Sequence, residues 1–446
     1  MWETTLKLTP PDHKLSVCAL LVTLAAFGPY LSTTIGVRTE QPVFFSVAFA
    51  AVIYLLFRGT IAVPAAYAAL LLLGVILVAF LGTLFPTSVT DLGLAPGSLL
   101  AGLTNNLEPL AGLLIATFLL ASGQSRETVF RSVSVVVVWA MIVNAVIAII
   151  SLKVNIVGLL QHFYQASTSV DYSNSVAIKA LGQGRYTGIF DQPAQAGFLY
   201  GLALLFTFSL WKDKYRSRPI RFTLLGMLLV TGGILTVSKI FLFIALPLAG
   251  LLILSRRGGR LRSLLTIFFV LAALLLALNA LGVFAAFPWE RQLAPYLHAS
   301  TDPLKLFTAG RLGSQGSIAN GLTLVTSQSP LGGFGLAGLS LPYDSALLEV
   351  AITAGYAGLV LYGLLTFLLV GRYLRKHRSD PTNGLMFAVL TLTILSSVGF
   401  PVSTGNRISG ILWIVLTVLF LSDLPWRTEV APLVPAPTSM PRLHPS

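Results

Sequence analysis

The sequence predicts an all-α fold, a polytopic bundle of about twelve transmembrane helices, and three observations carry that prediction. Of the 446 residues 55% are hydrophobic and only 10% are charged. The mean hydropathy is +0.84, and soluble domains carry about 25% charged residues. Apolar runs of about 17 to 25 residues recur along the chain, each long enough to cross a hydrocarbon core of about 30 Å as a helix. The basic residues fall in short segments between these runs, so the net charge of +13 is explained by membrane topology rather than by a nucleic-acid-binding stripe.

Each predicted span is bounded by that charge pattern. The first, 15–35, follows Lys7 and Lys14 and precedes Arg38; it has no small-residue cleavage site and is expected to be a retained helix. Span 42–57 runs into Arg58, and 62–85 leads out again. Span 98–121 returns to Arg126 and Arg131, and 131–151 leads to Lys153, Lys179 and Arg185. Span 194–211 ends on Lys212, Lys214, Arg216, Arg218 and Arg221, and 222–237 ends just before Lys239. Span 240–255 meets Arg256, Arg257, Arg260 and Arg262, and 263–286 leads to Arg291, Lys305 and Arg311. Span 344–370 ends on Arg372, Arg375, Lys376 and Arg378. Span 384–402 precedes Arg407, and 407–422 precedes Arg427 and Arg442. With the N-terminus inside, 20 of the 29 Lys and Arg face inward. Positive charge marks the cytoplasmic side, so both termini are expected there.

Residues 1–427 read as one membrane domain. Two outer segments, about 152–193 and 287–343, are long enough to fold over the membrane surface, whereas the inner connections are short; long loops commonly carry function. The tail 428–446 is proline-rich and aperiodic and is expected to be disordered. No internal repeat is evident, which weighs against inverted-repeat transporter plans. The single cysteine, Cys18, lies in the first apolar run, which rules out a disulfide framework and a Cys/His metal site.

Candidate functional residues gather on the outer side. Arg185, Lys239 and Arg311 stand at or near the ends of separate spans, where positive charge is otherwise sparse. Guanidinium forks match phosphate oxygens and a lysine adds a point charge, so together they suit a pyrophosphate; singly, each also suits snorkelling to the headgroups. Lys239 interrupts the apolar stretch at Thr236-Val237-Ser238-Lys239, where the turn has to be very short. Asp344 opens the tenth span after Pro342 and Tyr343. It reads either as a helix N-cap or as a general base for a sugar hydroxyl, and an N-cap position lowers its basicity. Glu349 lies about 140° around the helix from Asp344, so the two do not share a face. Glu108, after Asn105 and Asn106, reads as a structural or cation-pairing residue. Gly333, Gly335 and Gly338 form a G-x-G-x-x-G string without a βαβ context. It reads as a tightly turning loop that lets backbone approach a ligand or a neighbouring helix, or as a plain connecting turn.

Taken in order, several stretches resemble the O-antigen ligase and O-antigen polymerase family of bacterial inner-membrane glycosyltransferases. They are Arg185-Tyr186-Thr187-Gly188-Ile189-Phe190 with Gln192-Pro193, Ser238-Lys239 and Gly310-Arg311-Leu312. Ser329-Pro330-Leu331-Gly332-Gly333-Phe334-Gly335, Asp344-Ser345 and Gly355-Tyr356-Ala357-Gly358 follow. The resemblance spans about 60–420 and is specific between about 180 and 360. It implies a GT-C-like bundle in the bacterial plasma membrane that transfers glycan from an undecaprenyl-diphosphate donor at the periplasmic face, with no metal and no cofactor. Arg185, Lys239 and Arg311 would hold the diphosphate, with Arg311 and Asp344 catalytic and Asp344 orienting or deprotonating the acceptor hydroxyl. The implied partners are the lipid-linked donor, a glycan acceptor, membrane lipids, and chain-length or export machinery. Ligases of this family usually carry His-Asn where Asp344-Ser345 stands and arginine where Lys239 stands, which favours polymerisation, or ligation to another acceptor, over ligation to a lipid core. The rival class is a lipid-linked-oligosaccharide flippase, which needs charges at mid-span; a non-catalytic scaffold is the third.

Overall fold

The computed structural model describes residues 13–32, 37–58, 61–85, 97–164, 176–210, 219–255, 317–339, 345–376, 380, 382–404 and 407–424. The described chain is mostly helical. Helix α1 is His13–Ala25, followed by a two-stranded antiparallel ladder of β1, Tyr30–Ser32, and β2, Val37–Arg38. Next come α2, Glu40–Arg58, α3, Val63–Leu84, α4, Leu99–Ala121, and α5, Arg126–Ile150. Two short helices, α6, Val157–Leu160, and α7, Val176–Gly182, precede α8, Pro193–Leu210. Helix α9 is Pro219–Leu235, and a π-helical turn Ile240–Ala245 leads into α10, Leu246–Ser255. The rest are α11, Ser317–Gln328, α12, Ala346–Lys376, α13, Asn383–Ser397, and α14, Ile408–Leu416, extended by a π turn to Leu421.

Among the described residues five helices are long and apolar enough to cross a membrane, those covering Glu40–Phe57, Val63–Leu84, Leu99–Ala121, Arg126–Ile150 and Ala346–Lys376. Shorter apolar helices occupy most of the other predicted spans, while span 263–286 and the tail 428–446 lie outside the described residues. The first span ends sooner than its hydropathy suggests. Helix α1 stops at Ala25, and after Gly28-Pro29 the chain turns into β1. A proline pushes its predecessor out of the helical region, which accounts for the stop.

Among the described residues two helices are buried all round. On α8 residues 195–207 are enclosed, as are 407–422 along α14. An apolar helix with no polar face belongs in the interior of a bundle. Around these cores α12 packs along α3, α14 and α2 along α4, and α1, α8 and α9 along α5. The surrounding helices turn large apolar side chains outward, among them Leu56, Phe57 and Phe367, as lipid-facing helices do.

The glycine string lies against neighbouring helices. Gly333, Gly335 and Gly338 all have positive φ, and a Cβ on Gly335 would stand 2.5 Å from the Thr83 nitrogen of α3. Opposite them α12 breaks at Gly355, with φ 60° and ψ −159°, a conformation open to glycine almost alone. The break frees backbone groups, and the loop satisfies them. Tyr356 N donates to the Pro330 carbonyl at 2.8 Å, and the Ile352 carbonyl accepts from Phe334 N at 2.6 Å. Leu336 N donates to Thr83 Oγ1 at 2.8 Å, tying the same loop to α3. A methyl on Gly355 would meet the Leu331 carbonyl at 2.5 Å. Gly355→Ala is therefore expected to destabilise the protein by at least the about 1–3 kcal/mol of a forced backbone conformation. Thermal unfolding in detergent checks it, and an unchanged midpoint would show that the break relaxes at no cost.

At the other end of the bundle from β1 and β2, the buried Arg126 clasps the end of the described chain. Its Nε and Nη2 donate to the carbonyls of Val418 and Leu419 at 3.0 Å each. Nη1 reaches Asp380 at 3.0 Å and the Leu424 carbonyl at 3.1 Å. One guanidinium thus satisfies carbonyls that the last helical turn leaves without intrahelical donors.

Candidate substrate site at one end of the bundle

The site is built from the segment that joins α7 to α8. Asn144, a polar residue inside the apolar α5, holds it from below. Its Nδ2 donates to the Thr187 carbonyl at 3.1 Å and to Tyr200 Oη at 2.9 Å. Its Oδ1 accepts from Ile189 N at 2.8 Å. Gly188 sits directly on that amide with φ 65°, and a Cβ there would collide with it. Tyr164 Oη donates to the Gly188 carbonyl at 2.7 Å, and Thr187 Oγ1 to the Phe190 carbonyl at 2.7 Å. The carbonyls of Thr187, Gly188 and Phe190 and the amide of Ile189 are thereby engaged, which holds the backbone between Arg185 and Asp191.

Arg407 closes the same segment from the α14 side. It is a non-glycine residue at φ 62°, and its guanidinium donates to the carbonyls of Ile189 and Phe163 at 3.1 Å each. The same group lies 5.0 Å from the centroid of the Tyr30 ring. Tyr30 Oη in turn donates to Asp191 Oδ2 at 2.9 Å. Burial, then the nearby negative charge of Asp191, hold the Tyr30 phenol above its ordinary pKa, so it stays a donor. A backbone held at positive φ in a buried arginine is strain that the surroundings have to over-determine.

The Lys239 turn docks on this segment. Tyr186 N donates to the Leu235 carbonyl at 2.9 Å, joining the residue after Arg185 to the last residue of α9. Three residues, Thr236-Val237-Ser238, then make the whole connection to Lys239 and the π turn. Val237, a β-branched residue, takes φ 49° there. Ser238 packs so closely on Gly197, one turn into α8, that a methyl at Gly197 would strike it. Arg185, Lys239 and Asp191 are each half-buried and reachable from outside. Arg185 Nε and Ser238 Oγ are buried donor atoms with no hydrogen-bond partner among the described residues.

Of the sequence-predicted site residues, Arg185 and Lys239 are thus carried on two segments tied by backbone. Arg311 and Asp344 lie outside the described residues. Glu108 pairs with Arg38, which also binds Glu40 at 2.8 Å, and Ser409 Oγ donates to Glu108 at 3.1 Å. All three charged residues are about 2% exposed or less, so this cluster holds helices together rather than meeting solvent. Glu349, also buried, accepts from Thr404 Oγ1 and forms no ion pair among the described residues. Sequence reasoning passed over Asp191, Tyr30 and Asn144 and read Arg407 only as a loop cation. The available signals were a lone asparagine inside span 131–151, where polar groups are costly, and a carboxylate immediately before Gln192-Pro193. Among the described residues no three His, Cys, Asp or Glu side chains form a group able to hold a metal.

A scan against models of known protein families finds no match for the chain, and a search of curated proteins finds none.

Proposed function

We propose that this chain is a multi-spanning membrane glycosyltransferase of the O-antigen ligase and polymerase type. In this reading it lies in a bacterial plasma membrane with both termini cytoplasmic and about twelve crossings. It uses an undecaprenyl-diphosphate-linked oligosaccharide at the periplasmic face, without a metal, and polymerises repeat units. Transfer of the glycan to a lipid core or another acceptor is the alternative outcome.

The observation that carries the reading is the docking of the Arg185 segment onto the Lys239 turn. The two cations come from elements far apart in sequence, and the segment that carries Arg185 is held by Asn144, Tyr164 and Arg407. A diphosphate leaving group develops negative charge as the glycosidic bond breaks, and fixed donors aimed at that charge lower the barrier. Arg311, from the resemblance, would complete the cradle, and Asp344 would orient the acceptor. Bond by bond, the acceptor hydroxyl gives its proton to a carboxylate of the site, its oxygen joins the anomeric carbon, and the carbon–oxygen bond to the diphosphate breaks. The lipid diphosphate leaves with the electron pair, inverting the anomeric centre. A chain-length regulator or exporter would take the product.

The test is transfer by the purified full-length protein from the polyprenyl-diphosphate oligosaccharide pool of a strain lacking it, with no added metal. Products are resolved by gel, and Arg311→Ala and Arg185→Ala serve as controls. Longer glycans, lost in both variants, are expected. No product, together with movement of the intact lipid-linked oligosaccharide across a vesicle bilayer, would replace enzyme by transporter.

A further inference from the structure

We propose that Asp191 is the carboxylate that accepts the hydrogen bond, and then the proton, of the attacking acceptor hydroxyl. This rests on the glycosyl-transfer reading above and adds to it the acceptor half of the site.

Geometry argues for this residue. Asp191 lies on the same ordered segment as Arg185, six positions on, and two residues before α8. Ser238, beside Lys239, packs on the first turn of that helix at Gly197. The Lys239 turn thus touches this segment on both sides of Asp191, at Tyr186 and at Gly197, so Asp191 shares with Arg185 the backbone unit on which that turn docks. A general base has to be near the reacting centre before its basicity matters.

Among the described residues, accessibility separates Asp191 from Glu40, Glu108 and Glu349. Glu40, Glu108 and Glu349 are enclosed, with the first two spent on Arg38. Asp191 is half-buried, sheltered enough to be held in one orientation and open enough to meet a ligand. Its orientation comes from Tyr30, whose hydroxyl occupies Oδ2 at 2.9 Å. Tyr30 is itself fixed by the Arg407 guanidinium over its ring, and Arg407 by the carbonyls of Ile189 and Phe163. This chain of contacts, Arg407 to Tyr30 to Asp191, resembles the base-and-orienter arrangement of nucleophile activation, with Tyr30 as a positioning residue. It also gives the strained Arg407 backbone a purpose beyond packing.

The step balances without a further reactant. The acceptor O–H proton passes to the Asp191 carboxylate as the oxygen bonds to the anomeric carbon. The departing lipid diphosphate keeps the electron pair, and Asp191 returns its proton to water once the product leaves.

The experiment uses the full-length protein in lipid nanodiscs, with the polyprenyl-diphosphate oligosaccharide pool as donor and acceptor. Asp191→Asn is expected to lower kcat about 100-fold or more, within the usual range for a lost general base, with the donor KM unchanged. Asp191→Glu should recover part of the rate. Tyr30→Phe should lower kcat about 10-fold at constant donor KM. A kcat for Asp191→Asn within about threefold of wild type overturns the inference, most plainly if Asp344→Asn, made in parallel, is the inactive one. Should Asp191→Asn fail to fold, Tyr30→Phe decides: a wild-type kcat overturns the assignment and a lowered one at unchanged KM upholds it. No transfer by the wild-type protein overturns the underlying reading, and this inference with it.

Discussion

Lys239→Gln is expected to abolish polymer in cells and to lower the transfer rate of the purified protein about 100- to 1,000-fold, the usual cost of one donor that stabilises developing charge. The size follows from where the lysine is held. The turn before it has only three residues, forces Val237 to positive φ and seats Ser238 against Gly197, so Lys239 has little freedom to be replaced by a neighbour. Protein abundance and the unfolding midpoint should not change, because a half-exposed side chain at a helix start contributes little to stability. Lys239→Arg should keep much of the activity, since either cation binds phosphate and only the fork geometry differs. Gly197→Ala should mimic the loss without touching any charge, because it pushes the turn off α8. Full polymer from Lys239→Gln would remove the diphosphate cradle from the proposal.

Helix positions were legible because twenty-odd apolar residues in a row leave a chain few alternatives in hydrocarbon. What hydropathy could not show was where an apolar stretch stops being helical. Gly28-Pro29 lies inside a run that reads as membrane throughout, yet the chain turns there into β1. The break at Gly355 lies likewise inside an apolar run and is legible only with the loop 329–338 that fills it. Arg185 and Lys239 stood out because each is a cation at the edge of an apolar segment, a local signal. Asp191 and Arg407 did not, since their meaning comes from Tyr30, Asn144 and Tyr164, which are distant in sequence and ordinary in type. The polar groups that shape this site are long-range pairs, and periodicity carries no information about those.

Arg38→Met is expected to destabilise the protein by about 3–5 kcal/mol, the cost of breaking a buried ion pair by removing one partner, seen as loss of membrane-inserted protein and a lowered unfolding midpoint. Arg38 is enclosed between two carboxylates, Glu40 at 2.8 Å on α2 and Glu108 on α4. Ser409 of α14 completes the Glu108 contacts, and Gln41 Oε1 accepts from the Arg38 backbone nitrogen at 3.1 Å. Without the guanidinium both carboxylates stay buried with no cation, which is where the penalty arises. The same reasoning gives a rescue. Arg38→Met combined with Glu40→Gln and Glu108→Gln removes the stranded charges and should recover most of the loss, since a buried ion cluster replaced as a unit costs little. A triple variant as unstable as the single one would mean that Arg38 acts by shape, filling the space between α2 and α4, and not by charge. The rescued protein should also separate stability from activity. The β1–β2 ladder, which pairs Arg38 with Tyr30, links the cluster to the candidate site, so a stable triple variant with reduced kcat is the result expected if Arg38 holds the register of that ladder and with it the Tyr30 to Asp191 contact.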